Sequence, residues 1–266
     1  TSTIFSFFDT TSAITYQALN HTPSTRYNFE VAAVNAFAVE SQKSLPASAV
    51  TKPAKPKNLV ASSLDTSRVQ LTWMSGGGTN AKYVIYRSLD DISYSVIDSS
   101  TTASYTSLFL SPGIRYYFKV SAYNSLGVEG PQSASATDVT FPSTPRNLAA
   151  YGINQTTIRL TWQNGGGVVT RYVVYRGLDS GTVVQHDSTT LLSYDDSLGL
   201  ALGIEYFYRL AAVNSVGAQS TRSYSANACT APPQIDSLLA VAMDTLKVRL
   251  TWKKAAGTNI KYRVYR

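Results

Sequence analysis

Leu71-Thr72-Trp73, Leu160-Thr161-Trp162 and Leu250-Thr251-Trp252 are one tripeptide read three times along the chain, with the Trp residues 89 and 90 positions apart. Ten residues beyond each Trp, a Tyr opens a second shared run: Tyr83-Val84-Ile85-Tyr86-Arg87, Tyr172-Val173-Val174-Tyr175-Arg176 and Tyr262-Arg263-Val264-Tyr265-Arg266. A further block keeps the same period, from Tyr27 to Asn35, Tyr116 to Asn124 and Tyr206 to Asn214. A fixed period of this length marks tandem units that each fold around a core of their own.

Within one period the pattern is strand after strand. Val69, Leu71 and Trp73 alternate with Gln70 and Thr72, and Tyr116, Phe118, Val120 and Ala122 alternate with Tyr117, Lys119, Ser121 and Tyr123. A period of two is that of a strand with one buried face. Turn signals fall between the runs, at Gly76-Gly77-Gly78, Gly165-Gly166-Gly167 and Ser111-Pro112-Gly113. No segment repeats with the period of a helix. Tyr outnumbers Phe and Trp (18 against 9 and 3), which also favours strands. Roughly seven short strands in about 90 residues predict a β-sandwich. Pro-bearing stretches separate the units at Lys52-Pro53-Ala54-Lys55-Pro56, Phe141-Pro142-Ser143-Thr144-Pro145 and Ala231-Pro232-Pro233. Proline has no N–H for a strand ladder, so it suits a joint or the start of an edge strand.

These repeats resemble fibronectin type III domains over essentially the whole chain. The resemblance rests on the Trp of the second strand, the Tyr-x-Val-Tyr-Arg third strand, and the block that runs from Leu110-Ser111-Pro112-Gly113 through Tyr116 to Asn124 and Gly127. It implies an all-β chain of immunoglobulin-like sandwiches in which Trp73, Trp162 and Trp252 belong to the core. It also implies that Tyr27, Tyr116 and Tyr206 form corners, each phenol bonding backbone near the preceding turn. Two departures are small. Leu200-Ala201-Leu202-Gly203 lacks the Pro of its counterparts, and Ser24 stands where the other copies have Gly113 and Gly203.

The repeat divides the chain into residues 1–52, the later strands of a sandwich; 53–141 and 142–231, two complete sandwiches; and 232–266, the first three strands of another. Two explanations stand for the half-units. Either the 266 residues are a window on a longer array, or residues 232–266 pair with residues 1–52 of a neighbour into a head-to-tail polymer. Joined in that order, the halves lack only the residues matching Ser88 and Leu89. Either half alone leaves an apolar face and a sheet edge open.

The formal charge of +7 is concentrated in the last segment, at Lys247, Arg249, Lys253, Lys254, Lys261, Arg263 and Arg266. Lys247 and Arg249 alternate with Val248 and Leu250, as on a sheet with one wet face, and no nucleic-acid reading motif accompanies them. No apolar run approaches the 18 residues of a membrane span. Charged residues are 15% and hydrophobic ones 44%, enough apolar side chain for packed cores.

Chemistry finds little footing. The two histidines, His21 and His186, have no metal-ligand spacing and read as exposed loop residues. Asp90-Asp91 and Asp195-Asp196 read as solvated turn residues rather than a calcium site. The glycine triplets are followed by no Lys-Ser or Lys-Thr, so they read as tight, mobile connections and not phosphate loops. Cys229 is the single cysteine, which excludes an intrachain disulfide; it reads as either a buried small hydrophobe or an exposed thiol, burial being the commoner fate. Asn20-His21-Thr22 and Asn154-Gln155-Thr156 are N-glycosylation acceptors on expected surface turns. An Arg-Gly-Asp motif is absent; Arg176-Gly177-Leu178 comes closest. Tyr117, Tyr123 and Phe207 alternate with core positions and could cover a face that meets a neighbour or a glycan.

The expectation is therefore a non-catalytic structural repeat protein of an extracellular or cell-surface fibre, stalk or adhesin, with no cofactor and no metal. Its expected partners are copies of itself or neighbouring domains. The alternatives are a glycan- or protein-binding module and an accessory spacer array of a larger secreted enzyme.

Overall fold

In the computed structural model, residues 5–257 and 260–266 are described, and among them every regular element is a strand. Residues 1–52 contribute β1 (Arg26–Phe29) and β2 (Ala47–Val50). The first sandwich follows with β3 (Lys57–Ser63), β4 (Val69–Met74), β5 (Lys82–Ser88), β6 (Ser95–Ser100), β7 (Ser104–Ser107), β8 (Arg115–Tyr123) and β9 (Ala136–Val139). The second has β10 (Arg146–Gly152), β11 (Ile158–Gln163), β12 (Arg171–Gly177), β13 (Val184–Thr189), β14 (Ser193–Asp196), β15 (Glu205–Val213) and β16 (Ala226–Cys229). The last segment adds β17 (Leu239–Ala242) and β18 (Val248–Thr251).

Each complete sandwich stacks a three-stranded sheet on a four-stranded one. The orders are β3-β4-β7 with β6-β5-β8-β9, and β10-β11-β14 with β13-β12-β15-β16. Every pairing is antiparallel. In the first sandwich Tyr83, Ile85 and Arg87 of β5 lie opposite Ala122, Val120 and Phe118 of β8. That register puts the alternating apolar residues of both strands on one inner face, and Ile85, Phe118, Val120 and Ala122 are fully buried. In the second, Ile158, Leu160, Trp162, Val174, Tyr208 and Leu210 form the matching cluster. Trp73 and Trp162 are buried, and each sets its edge against the Tyr ten residues on, at 5.3 and 5.5 Å between ring centroids. Completely burying one such aromatic side chain contributes about 1.5–3 kcal/mol.

Two compact units emerge from the chain's internal contacts. One comprises residues 1–63, 69–108 and 115–138, the other 64–68, 109–114 and 139–266.

The last segment departs from expectation. Tyr262–Arg266 matches β5 and β12 in sequence, yet forms no strand, so among the described residues 232–266 holds two strands and not three. In the complete sandwiches the third strand is bonded on both sides, β5 between β6 and β8. Residues 262–266 have neither flanking strand, and a lone extended segment has no ladder to join. The aromatic contact survives, with Trp252 and Tyr262 at 5.4 Å, although Trp252 is only half-buried.

Tyr117, Tyr123 and Phe207 are half-buried. Phe207 packs on a second small cluster of Val173, Tyr175, Val183, Ala211 and Val213 on the other face of the sheet. The hydroxyls of Tyr123 and Tyr86 both bond the Glu129 carboxylate, the first at 2.8 Å. That bond, together with burial, pushes the Tyr123 phenol up to about 12.

Candidate functional site

The feature shared by both units lies where one repeat hands over to the next. At the end of β2 and just after β9, a Thr closes the turn that precedes the Tyr-bearing strand. Thr51 Oγ1 donates to Thr22 O at 2.7 Å and accepts from Thr25 N at 3.0 Å. Thr140 Oγ1 donates to Ser111 O at 2.7 Å and accepts from Ile114 N at 3.1 Å. Thr230 repeats the arrangement with Ala201 O and Gly203 N at 2.7 and 2.8 Å.

The carbonyl of the same Thr is then taken up by an Asn that follows the Tyr-bearing strand of the next repeat. Asn124 Nδ2 donates to Thr51 O at 3.2 Å, and Asn214 Nδ2 donates to Thr140 O at 3.0 Å. Each Asn is nearly fully buried and uses its other end locally. Asn124 Oδ1 accepts from Leu126 N and Val128 N, and Asn214 Oδ1 from Val216 N and Ala218 N. One side chain thus caps a hairpin turn and holds the incoming linker. A buried carbonyl without a partner costs about 1–3 kcal/mol, so this pairing favours a linker that stays seated.

The glycine triplets press on the same place. A Cβ on Gly78 would come within 2.0 Å of Pro23 O, and one on Gly167 within 2.2 Å of Pro112 O. Gly76 and Gly165 meet the linker carbonyls of Lys55 and Thr144 at 2.2 and 1.9 Å in the same sense. The first and last glycines of each triplet are close-approach surfaces, as a tight connection requires.

The corner tyrosines brace the turn from below. Tyr27 Oη accepts from Thr22 N at 2.9 Å and Tyr206 Oη from Ala201 N at 2.8 Å, while Tyr116 is buried at the matching position. Ser24 reaches φ +52°, beside +64° for Gly113 and +68° for Gly203, so the serine adopts the left-handed turn its position requires.

The threonines escaped sequence reading, although Thr51, Thr140 and Thr230 keep the repeat period. So do Ser44, Ser133 and Ser223, whose hydroxyls accept the backbone N–H of Val31, Val120 and Leu210 at 3.1, 3.0 and 2.9 Å. These serines stand in for ladder acceptors where the last strand begins.

Residues singled out for chemistry fall elsewhere. Neither histidine is an exposed loop residue. His21 is half-buried and stacked on Tyr27 at 4.1 Å, because the turn folds it onto the strand that follows. His186 sits on β13 with Nε2 at 3.2 Å from Asp196. Asp195 and Asp196 are strand residues rather than solvated turn residues. Asp195 points outward to Arg159 at 2.6 Å, whereas Asp196 is completely buried. Arg176 Nη1 lies 3.0 and 2.9 Å from its two oxygens, and the Tyr208 hydroxyl donates at 2.8 Å. Burial and that bond hold the Tyr208 phenol far above its ordinary value. Arg176, the nearest approach to an adhesive Arg-Gly-Asp, is therefore committed to this internal pair.

Asp90 and Asp91 do lie in an exposed turn. Asp90 accepts from the Ser88 hydroxyl and the backbone N–H groups of Ile92 and Ser93, which pull its carboxyl down to about 2. Cys229 is exposed, not buried: it is the outward residue of edge strand β16, opposite Glu205, while Ala228 beside it packs on the core. Burial and the Glu205 charge still raise its thiol somewhat. Asn20 and Asn154 are exposed, with Asn154 Oδ1 accepting from Thr156 N and Oγ1 at 2.8 and 3.1 Å. Lys247 and Arg249 are exposed, and Lys247 pairs with Asp244 at 3.5 Å. Among the described residues no three His, Cys, Asp or Glu side chains gather as a metal site, and no helix is long and apolar enough to cross a membrane.

Comparison with known proteins agrees with this architecture. The family model for the fibronectin type III domain matches residues 54–139 and 143–228. Exoglucanase B of Cellulomonas fimi is 29% identical over 91% of this chain and 24% of its own length. Receptor-type tyrosine-protein phosphatase eta of Gallus gallus is 28% identical over 91% of this chain and 17% of its own. The chain thus spans a quarter or less of the length of these relatives. A solved two-domain fibronectin type III segment of chicken tenascin is 17% identical, with a TM-score of 0.43 over 66% of this chain and 99% of that one. Since the family model covers more than half of its residues, the chain belongs to the fibronectin type III family.

Proposed function

We propose that this chain is a non-catalytic structural segment of an extracellular or cell-surface protein, its sandwiches serving as spacers in a fibre, stalk or adhesin. The observation that supports this reading most is the duplicated joint. The same Thr carbonyl meets the same Asn amide in both units, with the same glycine loop beside it. A spacer needs a linker with little slack, and each of these linkers is held from two sides by buried or close-packed backbone. The polar groups that converge inside the second sandwich are consumed by one another. Asn20 and Asn154 carry N-linked glycans on this reading, since both face solvent; loss of mass on treatment with an N-glycosidase is the check.

Pulling the 266-residue chain between its ends is the direct test. The account expects two cooperative unfolding steps, each releasing a contour of roughly 280–310 Å for about 86 residues at 3.3–3.6 Å apiece, with no soft stretching of the linkers beforehand. Saturable binding of a polysaccharide or of one protein ligand, in place of such mechanical behaviour, would favour a binding module.

A second reading has one observation behind it. Exoglucanase B aligns with 91% of the chain, so the array is alternatively an accessory spacer in a larger secreted enzyme. A catalytic sequence adjoining the repeats in the complete polypeptide would select that reading over the first.

A further inference from the structure

The outer faces of the two four-stranded sheets carry matched cations but not matched anions. In the first sandwich Lys119 of β8 holds its Nζ 4.2 Å from the centre of the Tyr94 ring. The Tyr94 hydroxyl donates to Asp91, and with the Ser135 hydroxyl and the Lys119 charge it holds the Asp91 carboxyl below its ordinary value. Glu129 accepts from Tyr86 and Tyr123 on the same face. In the second sandwich the repeat places Arg209 where Lys119 stands, but Ser180 in place of Asp91, Val183 in place of Tyr94 and Gln219 in place of Glu129. Arg222 replaces Gln132, and its guanidinium lies 3.9 Å from the centre of the Tyr175 ring.

Arg209 lies opposite Tyr175 of β12, and continuing the β15–β16 register puts Ser225 on its other side. Among the described residues Arg209 Nε and Ser225 Oγ are buried with no hydrogen-bond partner. A desolvated donor on a charged group is costly until an acceptor meets it. Arg209 as a whole is half-buried, so its side chain is open to a group arriving from solvent. The carboxylates of this sheet and its turn are engaged elsewhere: Asn227 Nδ2 donates to Glu205, the Tyr194 hydroxyl to Asp187 and Gly181 N to Asp179. Between Arg222 and Ser225 in the chain, Tyr224 is 95% exposed where the first sandwich has Ala134. Exposed Tyr beside Arg is the composition of a protein-binding patch.

We infer that the outer face of β12, β15 and β16 binds an acidic peptide segment of another protein, one carboxylate of which is received by the Arg209 guanidinium beside Arg222. That carboxylate takes the place which Asp91 fills from within the first sandwich, so a peptide side chain is the occupant that the repeat itself exemplifies. The inference goes beyond the spacer reading and does not rest on it.

Titration of the 15N-labelled chain with a hexaglutamate peptide at about 20 mM salt, where exposed charges are weakly screened, tests it. Saturable binding is expected, with the Arg209 Nε–H signal among those that move. Arg209→Gln is expected to weaken binding at least about tenfold, the scale of one hydrogen bond to a charged group. Ser180→Asp restores the carboxylate of the first sandwich; it is expected to weaken binding to a similar degree and to move the Arg209 Nε–H signal before any peptide is added. Lys119→Gln, on the sandwich whose own Asp91 fills the matching site, is expected to bind like the parent. Absence of saturable binding overturns the inference, as does an Arg209→Gln chain that binds undiminished. Saturation by a uronate oligosaccharide but not by hexaglutamate overturns the peptide assignment in favour of a glycan. The spacer reading is judged separately, by the pulling experiment without peptide, so the two can fail independently.

Discussion

The two complete sandwiches share sheet order, Trp, corner Tyr and joint, yet differ at one site in the core. In the first, the repeat places Arg87, Ile97, Ser107 and Phe118 there; Phe118 and Ser107 are buried, and the Ser107 hydroxyl has no partner. In the second, the matching residues are His186, Asp196 and Tyr208 around Arg176, tied together by bonds of 2.8–3.2 Å. One site is apolar with an idle hydroxyl, the other a closed polar network. Each member of the network depends on the rest. A buried carboxylate is tolerated because the guanidinium and the phenol bond it, and Tyr in place of Phe is tolerated because the carboxylate accepts its hydrogen bond. The period therefore predicts positions, while the identity at a position follows from its immediate neighbours.

Breaking the network gives the largest expected effect. Asp196→Ala leaves Arg176, His186 and the Tyr208 hydroxyl without their acceptor and should destabilise the second sandwich by about 3–5 kcal/mol. Ser107→Ala at the matching site removes an unbonded hydroxyl and should change the first sandwich by no more than about 0.5 kcal/mol. Urea unfolding followed through Trp162 and Trp73 separates the two transitions. Replacing three members at once, His186→Ile with Asp196→Ser and Tyr208→Phe, should recover stability to within about 1 kcal/mol of the parent, because it removes the buried carboxylate together with the phenol and imidazole that depend on it and leaves Arg176 in the set of residues that accompanies Arg87 in the first sandwich. If the triple replacement were as unstable as Asp196→Ala, the network would not be the difference between the sandwiches.

Next in size is a contrast within the turns. Gly78→Ala places a Cβ 2.0 Å from Pro23 O at φ +74°, and should destabilise its surroundings by about 1–3 kcal/mol. Gly127→Ala has the same φ but nothing within 4 Å, so it should cost less, about 1 kcal/mol from backbone strain alone. Equal losses in thermal unfolding would mean that close approach at the joint adds nothing.

The smallest expected effect is a titration. Asp90 is held at about 2, below the ordinary carboxylate value, by donors from Ser88, Ser93 and Ile92. A depressed folded value means a contribution that is present above the unfolded value and lost as pH falls through about 2. The Asp90 carboxyl resonance should therefore move with a midpoint near 2, and Ser88→Ala, which removes the largest cause, should raise it.

Much of the fold could be read from the residues themselves. Alternation in Val69–Trp73 and Tyr116–Tyr123 reports which side chains face inward, and Gly at 113 and 203 reports a left-handed turn that Ser24 also adopts. The joint was only half legible. Asn35, Asn124 and Asn214 marked the period, but that one amide caps a turn while donating to a carbonyl 73 or 74 residues away is a product of the three-dimensional fold. The same holds for Asp196, which meets Arg176, His186 and Tyr208 of the other sheet across the space between the two. Cys229 read as buried because that is the usual fate of cysteine, whereas its parity on β16 turns it outward. Tyr262–Arg266 carries a strand's sequence without forming one, because a ladder requires a partner that local sequence does not contain.

The central claim is that each sandwich holds the linker that enters it. Backbone 15N relaxation of Phe141, Ser143 and Thr144, compared with the strands on either side, tests this most directly. The account predicts order parameters of about 0.85, as in rigid backbone, falling selectively in Asn214→Asp, where the cap on Val216 and Ala218 is kept and the donation to Thr140 O is lost. Values below about 0.6 in the parent chain would mean a free tether and would contradict the account.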